Sequence, residues 1–143
     1  MPLKTVEVSA SLIDKFQIEL KARDFTLTID QPKPMGNDQG PTPLEYFFFA
    51  LAGCVVTIGR MVAFQKNIDL QSMDVRIEGD LDTDVLAGKR NDLRPGFSRI
   101  KVITTIDAPL THEEKVAFLK EVDARCPISD NIENVSKIEF VVA

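Results

Sequence analysis

The fold depends on residues 42–56, which read TPLEYFFFALAGCVV. Thr42 suits a helix N-cap, Pro43 suits the first helical position, and Glu45 completes a capping box. The apolar run that follows predicts a long helix, continuing to about Lys66 and buried on most of its sides. Because a domain of 143 residues has difficulty enclosing such a helix, we expect a partner subunit to cover part of it.

Alternating apolar and polar residues on either side of this helix predict strands. Three strands are expected between Thr5 and Ile29, the first carrying Val6, Val8 and Ala10. Two more are expected over residues 72–81 and 97–106, and a last one over 137–142.

Between the two middle strands, residues 82–96 are polar and predict a mobile hairpin connection. A second capping box, at Thr111 and Glu114, predicts a helix that runs to about Cys126. The order strands, helix, strands, helix, strand is typical of an α+β protein. No linker interrupts it, so we expect a single domain over residues 1–143.

The composition excludes several classes of function. Hydrophobic residues make up 44% and charged residues 27%, as in a soluble globular protein. A net charge of −5 argues against nucleic acid and against an anionic membrane surface. The N-terminus lacks a signal-peptide core, and the apolar run around residues 46–56 is shorter than the roughly 20 residues that span a bilayer. We expect a cytoplasmic protein, in a compartment where paired thiols are more often redox-active than structural.

Two cysteines are the candidate chemical groups. Cys54 has no charged neighbour within a turn of its own helix, so its thiolate needs a cation or a donor from another segment. Cys126 precedes Pro127 and either begins a new short helix, which lowers a thiol pKa, or ends the preceding helix, whose dipole opposes the thiolate. Both placements are open, and so is the alternative that both cysteines are ordinary core residues.

The single histidine offers little chemistry. His112 lies roughly 21 Å from Cys126 along a regular helix, which disfavours a Cys–His dyad. Two cysteines and one histidine fall short of the four ligands of a structural zinc site. No phosphate loop or dinucleotide fingerprint is present, so we expect no metal and no cofactor.

Three segments resemble the OsmC/Ohr family: GPTPLE at 40–45, ALAGC at 50–54 and CPIS at 126–129. The resemblance covers nearly the whole chain. It implies an OsmC-like fold, in which antiparallel sheets pack around two central helices of an intertwined homodimer. It also implies thiol-dependent reduction of organic hydroperoxides. Cys54 would attack the peroxide, Cys126 would condense with the resulting sulfenic acid, and a dithiol reductant such as a lipoylated protein would reopen the disulfide.

Other expected site residues depart from the family pattern. The peroxidase branches carry glutamate directly after the helix-opening proline, where this chain has Leu44. Glu45 comes one position later, about two and a half turns from Cys54 and on the opposite face. We therefore expect Glu45 to cap the helix, with a role in the partner chain's site as the alternative.

The family's N-terminal hairpin arginine has no counterpart at residues 12–15. Arg23, Arg60 and Arg125 are candidate substitutes by proximity only, and a solvated surface position is the favoured alternative for each. Phe47 and Phe48 are the candidate wall for an alkyl tail, although aromatic stripes more often form core. These departures indicate an outlying branch of the family.

The most favoured function is therefore hydroperoxide reduction in the defence against oxidative stress. Two alternatives are a non-enzymatic module that binds a hydrophobic ligand in the dimer cleft, and a redox sensor whose disulfide changes a surface for a partner.

Overall fold

The computed structural model describes residues 1–143 and has five strands and four helices. In chain order the elements are β1 Ser9–Asp14, β2 Gln17–Ala22, β3 Phe25–Ile29, α1 Pro43–Gln65, β4 Ser72–Asp80, α2 Thr83–Leu86, β5 Arg99–Asp107, α3 His112–Ala124 and α4 Pro127–Glu133. This mixture confirms the predicted α+β class. Contacts divide the chain into two compact units, Met1–Phe49 and Ala50–Ala143. The organisation as one domain stays a prediction.

The first unit is built on an antiparallel sheet in the order β1-β2-β3. The first strand is displaced from its predicted position, since it begins at Ser9 and leaves Val6 and Val8 exposed. The turn at Lys15, where φ is 51°, sets the register, and Ser9 already pairs with Lys21 near the end of β2. Residues before Ser9 therefore have no neighbouring strand to pair with.

One carboxylate organises the loop after β3. Asp30 is fully enclosed and accepts three backbone N–H groups, from Gln31 at 2.7 Å, Gln39 at 3.1 Å and Asn37 at 3.3 Å. A Cβ on Gly36 would lie only 2.5 Å from Asp30 Oδ1, so only glycine fits there. The stretch that showed no periodicity in the sequence is thus an ordered loop.

The beginning of α1 has the predicted capping box. Thr42 N–H donates to Glu45 Oε1 at 2.9 Å, and Glu45 N–H donates to Thr42 Oγ1 at 3.3 Å. The Tyr46 hydroxyl donates to the carbonyl of Thr28 at 2.8 Å, which ties the first turn of the helix to β3. Reciprocal side-chain bonds satisfy the backbone donors that a helix start leaves unpaired.

The second unit has one apolar core, formed by α1, α3 and the antiparallel hairpin β4–β5. Val62 of α1 and Val122 of α3 are completely buried in it. Gly59 permits close approach of α1 to β4, since a Cβ there would lie 2.5 Å from Met73 Sδ.

The connection between β4 and β5 differs from the expected mobile hairpin, because it contains the short helix α2. Asp82 caps this helix by accepting the N–H groups of Asp84 and Val85. Asp is among the strongest N-cap residues, so a polar stretch with this cap forms a turn of helix instead of an irregular loop.

The predicted strand at residues 137–142 is absent. The segment has no regular structure, and Ile138, Phe140 and Val142 are 75%, 91% and 97% exposed. Its alternation suits a strand, but a strand also needs a neighbouring edge for its backbone groups. The single chain supplies no such edge to this segment.

Helix α1 is also less enclosed than predicted. Phe49, Met61 and Phe64 are 57%, 49% and 83% exposed. The expectation that the apolar run is too short for a membrane is wrong for the helix as a whole. The helix has 23 residues, and an 18-residue window in it has a mean hydropathy of 2.0, so α1 could cross a bilayer by length and composition, a test that core helices of soluble proteins also pass.

Replacement of Asp30 by Asn is expected to lower the melting temperature in a pH-dependent way. Burial opposes the ionisation of Asp30, but the backbone bonds from Gln31, Gln39 and Asn37 outweigh it and hold its pKa below the usual 3.8. Because the folded pKa lies below the unfolded one, this stabilisation is present above the unfolded pKa and is lost as pH falls through the folded value.

Thermal melts of the wild type and Asp30→Asn across acidic and neutral pH measure this effect. The gap between them should be widest near neutrality and shrink below about pH 4. Asp38→Asn, at an exposed aspartate of the same loop, is the matched control and should show no such gap. A difference in melting temperature that stays constant with pH would contradict the attribution of this stabilisation to the ionised Asp30 carboxylate.

Candidate functional site

The interruption between helices α3 and α4 at Pro127 places Cys126 at the start of a helix. Helix α3 ends at Ala124, and Cys126 is the N-cap of α4, with φ −85° and ψ 109°. A residue before proline is driven out of the helical region, and proline suits the first position of the next helix. Of the two placements that the sequence left open, the structure has the first.

The two cysteines lie side by side in the unit Ala50–Ala143. Cys54, on α1, is half-buried and packs against the core cluster that contains Cys126, which is 1% exposed. The two thiols are close enough for Cys126 to influence the ionisation of Cys54, and both are free. Folding therefore brings together two groups that are far apart in the sequence.

The surroundings of Cys54 favour the protonated thiol. Burial and the neighbouring Cys126 thiol raise the pKa of Cys54, while the backbone N–H of Ile128 acts in the opposite direction. No cationic side chain is among the groups that shift this pKa. The neutral thiol is thus the favoured form unless a further cation approaches.

The candidate arginines of this unit have other partners. Arg60 Nη1 donates to the carbonyl of Leu70 at 3.3 Å. Arg125 Nη1 donates to Gln65 Oε1 at 2.8 Å and pairs with Glu121 at 3.7 Å. Neither bond is directed to a sulfur atom.

The remaining predicted site residues lie in the unit Met1–Phe49. Arg23 lies over the ring of Phe25 at 4.9 Å, an arrangement typical of a cation–π contact. Glu45 is engaged in the capping box, and the rings of Phe47 and Phe48 are 5.9 Å apart. Their proposed roles at the site stay predictions.

A polar chain of contacts surrounds Cys126. Ser129 N–H donates to Cys126 Sγ at 3.4 Å, and Ser129 Oγ donates to Asp123 Oδ1 at 2.5 Å. The sequence analysis singled out Ser129 only as part of the CPIS motif and did not consider Asp123. The six-residue separation of Asp123 and Ser129 spans the break between two helices, so no helical periodicity relates them.

A cavity of about 400 Å³ in the second unit was also missed. Its apolar walls come from α1, β5 and α3, namely Leu51, Val55, Ile100, Val102, Val116 and Leu119. Its polar lining includes Lys120, Asp123, Ser129 and Glu133. The apolar spacing in these elements predicts buried faces, but it carries no information on space left between them.

The fold and the site define a small α+β protein with two adjacent free thiols. The sequence profile described as OsmC-like protein matches residues 36–141, and the chain belongs to this OsmC family. The predicted family and the predicted OsmC-like fold of the chain are thereby confirmed, whereas the intertwined homodimer stays a prediction.

Individual relatives agree with this assignment. The chain is 23% identical over 139 residues to the hydroperoxide reductase of Mycoplasma pneumoniae, covering 97% of this chain and 94% of that one. The structure of an OsmC-like protein from Mycoplasma pneumoniae is similar with a TM-score of 0.81 and 23% identity, covering 92% and 89% of the two chains. An organic hydroperoxide resistance protein OsmC from Legionella pneumophila gives 0.69 at 21% identity, covering 92% and 91%. At these identities the structural likeness shows the fold.

The variant Cys126→Ala is expected to lower the pKa of Cys54 towards its ordinary value. The neighbouring Cys126 thiol raises that pKa, and its influence is lost with the sulfur. The rate of Cys54 alkylation as a function of pH measures the change, with modification at Cys54 followed by peptide mass spectrometry. Cys126→Ser, whose hydroxyl can donate to a thiolate, should lower the midpoint as well. If the pH midpoint of Cys54 alkylation is unchanged or higher in the alanine variant, Cys126 does not raise the pKa of Cys54.

Proposed function

We propose that this protein reduces organic hydroperoxides with the redox pair Cys54 and Cys126, as part of the defence against oxidative stress. The observation that carries the proposal is the contact between the two thiols in a member of the OsmC family. The relative named hydroperoxide reductase, which matches over nearly its full length, supports the same chemistry.

Atoms and electrons balance in the proposed reaction, with the hydroperoxide as the oxidant and an external dithiol as the reductant. The Cys54 thiolate attacks a peroxide oxygen, the O–O bond breaks, and the alkoxide takes a proton and leaves as an alcohol. Cys54 becomes a sulfenic acid, Cys126 attacks its sulfur, and water leaves as the disulfide forms. An external dithiol, such as a lipoylated protein, then reduces the disulfide by thiol–disulfide exchange.

Accessibility supports Cys54 as the nucleophile. Cys54 is half-buried, whereas Cys126 is 1% exposed. The raised pKa of Cys54 calls for a cation in the working protein, because the thiolate is the reactive form. We assign this role to residues that a second copy of the chain brings to Cys54, with Arg23 as the cation, Glu45 as a further polar group and Phe47 and Phe48 as the contacts for an alkyl tail.

The working form proposed here is a homodimer in the cytoplasm. Exposed apolar residues on α1, such as Phe64, would be covered by a second copy. The segment 137–142 has the alternation of a strand and no neighbour, so it can add to a sheet edge of the partner. In a lone chain, the exposed apolar surface and the unpaired strand-like segment are both unfavourable in free energy. A dimer would bury the first and pair the second.

The 400 Å³ cavity supports a second candidate function, the binding of a hydrophobic ligand. Most of its lining is apolar with a few polar groups at hand, as in small-molecule sites. This function predicts that a ligand co-purifies and that both Cys54→Ser and Cys126→Ser retain it. A redox sensor, in contrast, would be oxidised once per chain with negligible turnover.

Replacement of Cys54 by Ser is expected to abolish the consumption of cumene hydroperoxide with a dithiol reductant. The hydroxyl is a far weaker nucleophile than a thiolate. Cys126→Ser should still react once, leaving a sulfenic acid at Cys54 that dimedone traps. Circular dichroism verifies that both variants fold. Turnover that survives in Cys54→Ser would remove Cys54 as the nucleophile.

The variant Phe140→Asp is expected to convert the dimer into monomers. Each dimer carries the segment twice, so the loss of two buried rings should cost about 3 kcal/mol or more. Light scattering at several protein concentrations gives the mass of the particle. Glu139→Lys, a charge change on the other face of the same segment, is the matched control and should remain dimeric. A monomeric wild type, or a dimeric Phe140→Asp, would refute this interface.

A further inference from the structure

The corner between α3 and α4 is closed by hydrogen bonds around Cys126. Asp123 lies in the last turn of α3, and Ser129 lies in the first turn of α4. Ser129 Oγ donates to Asp123 Oδ1 at 2.5 Å, and Cys126 N–H donates to the Asp123 carbonyl at 3.1 Å. Asp123 therefore contacts both sides of the break at Pro127.

This corner needs a restraint beyond its cap. The N-cap of α4 is a sulfur atom, which accepts from Ser129 N–H at 3.4 Å. Sulfur is a weak acceptor, whereas the preferred N-cap residues offer oxygen. A hydrogen bond to a carboxylate is shorter and stronger than one between neutral groups. The bond between Asp123 and Ser129 thus holds the turn that the thiol caps only weakly.

The same turn determines where the Cys126 sulfur lies. Cys126 Sγ accepts from Ser129 N–H while it also contacts the Cys54 side chain. If Ser129 shifts, the donor that orients the sulfur shifts with it. A disulfide forms quickly only when its two sulfurs are already held within reach, because the attack is intramolecular.

We propose that Asp123 and Ser129 are positioning residues for Cys126, and that their hydrogen bond sets the rate of disulfide formation with Cys54. The inference deepens the proposed function and rests on it for the oxidant, an organic hydroperoxide. In that step Cys126 attacks the sulfur of the Cys54 sulfenic acid, the S–O bond breaks, and the thiol proton leaves with the hydroxyl as water. Neither positioning residue gains or loses electrons.

An aromatic disulfide reagent tests the positioning without any peroxide. Dithionitrobenzoate reacts first with the more accessible Cys54 and releases one thionitrobenzoate. Cys126 then attacks the mixed disulfide at Cys54 and releases the second. Both releases are measured by absorbance. The rate of the first reports how accessible Cys54 is, and the rate of the second reports how quickly Cys126 attacks the mixed disulfide.

In Ser129→Ala and Asp123→Asn, the first release should keep its wild-type rate. The second should slow by up to about tenfold, the equivalent of one lost hydrogen bond. Ser129→Thr keeps the hydroxyl and should restore the second rate. Glu133→Gln, which removes a carboxylate from the same cavity wall, is the matched control and should behave as the wild type.

Three results would overturn the proposal: a second release that is unchanged in both variants, a first release that slows as much as the second, or no second release in the wild type. A slowed first release would indicate a general loss of structure in the variants. The absence of a second release in the wild type would indicate that the two thiols do not form a disulfide. A wild type that passes this assay but consumes no cumene hydroperoxide would refute the proposed function and leave the positioning role standing.

Discussion

The whole candidate site depends on the helix interruption at Pro127. Because proline excludes the preceding residue from helical geometry, α3 cannot continue through Cys126. The thiol is therefore held at a corner, directed into the core of the second unit and against Cys54. A continuous helix would give Cys126 a helical backbone and a different side-chain direction. The geometry of the thiol pair thus follows from a backbone constraint and is completed by the packing of α1.

A second theme is the amount of apolar surface that the single chain leaves uncovered. Phe64 on α1 and Phe140 near the C-terminus are 83% and 91% exposed. Large apolar side chains with this much exposure are candidates for burial in an association surface. No cation is among the groups that shift the pKa of Cys54, so the proposed reaction requires one from elsewhere.

Local features were predictable from the sequence, and long-range ones were not. The capping boxes at Thr42 and Thr111 are read from residues three positions apart, and both are present. The placement of Cys126 required a choice between two local rules, and the sequence could not make it. Asp30 escaped notice because its three donors come from a loop without periodicity. The final strand was mispredicted because alternation says which face is apolar and does not say whether an edge is available.

The unequal exposure of the two cysteines also determines where oxidative damage falls. Cys126, at 1% exposed, is shielded from small reagents, so Cys54 meets excess oxidant first. A sulfenic acid that is not captured by a second thiol proceeds to sulfinic and sulfonic acids, which ordinary thiols do not reverse. In the proposed reaction Cys126 therefore also protects Cys54 from irreversible oxidation, and the number of turnovers before inactivation depends on how quickly the disulfide forms.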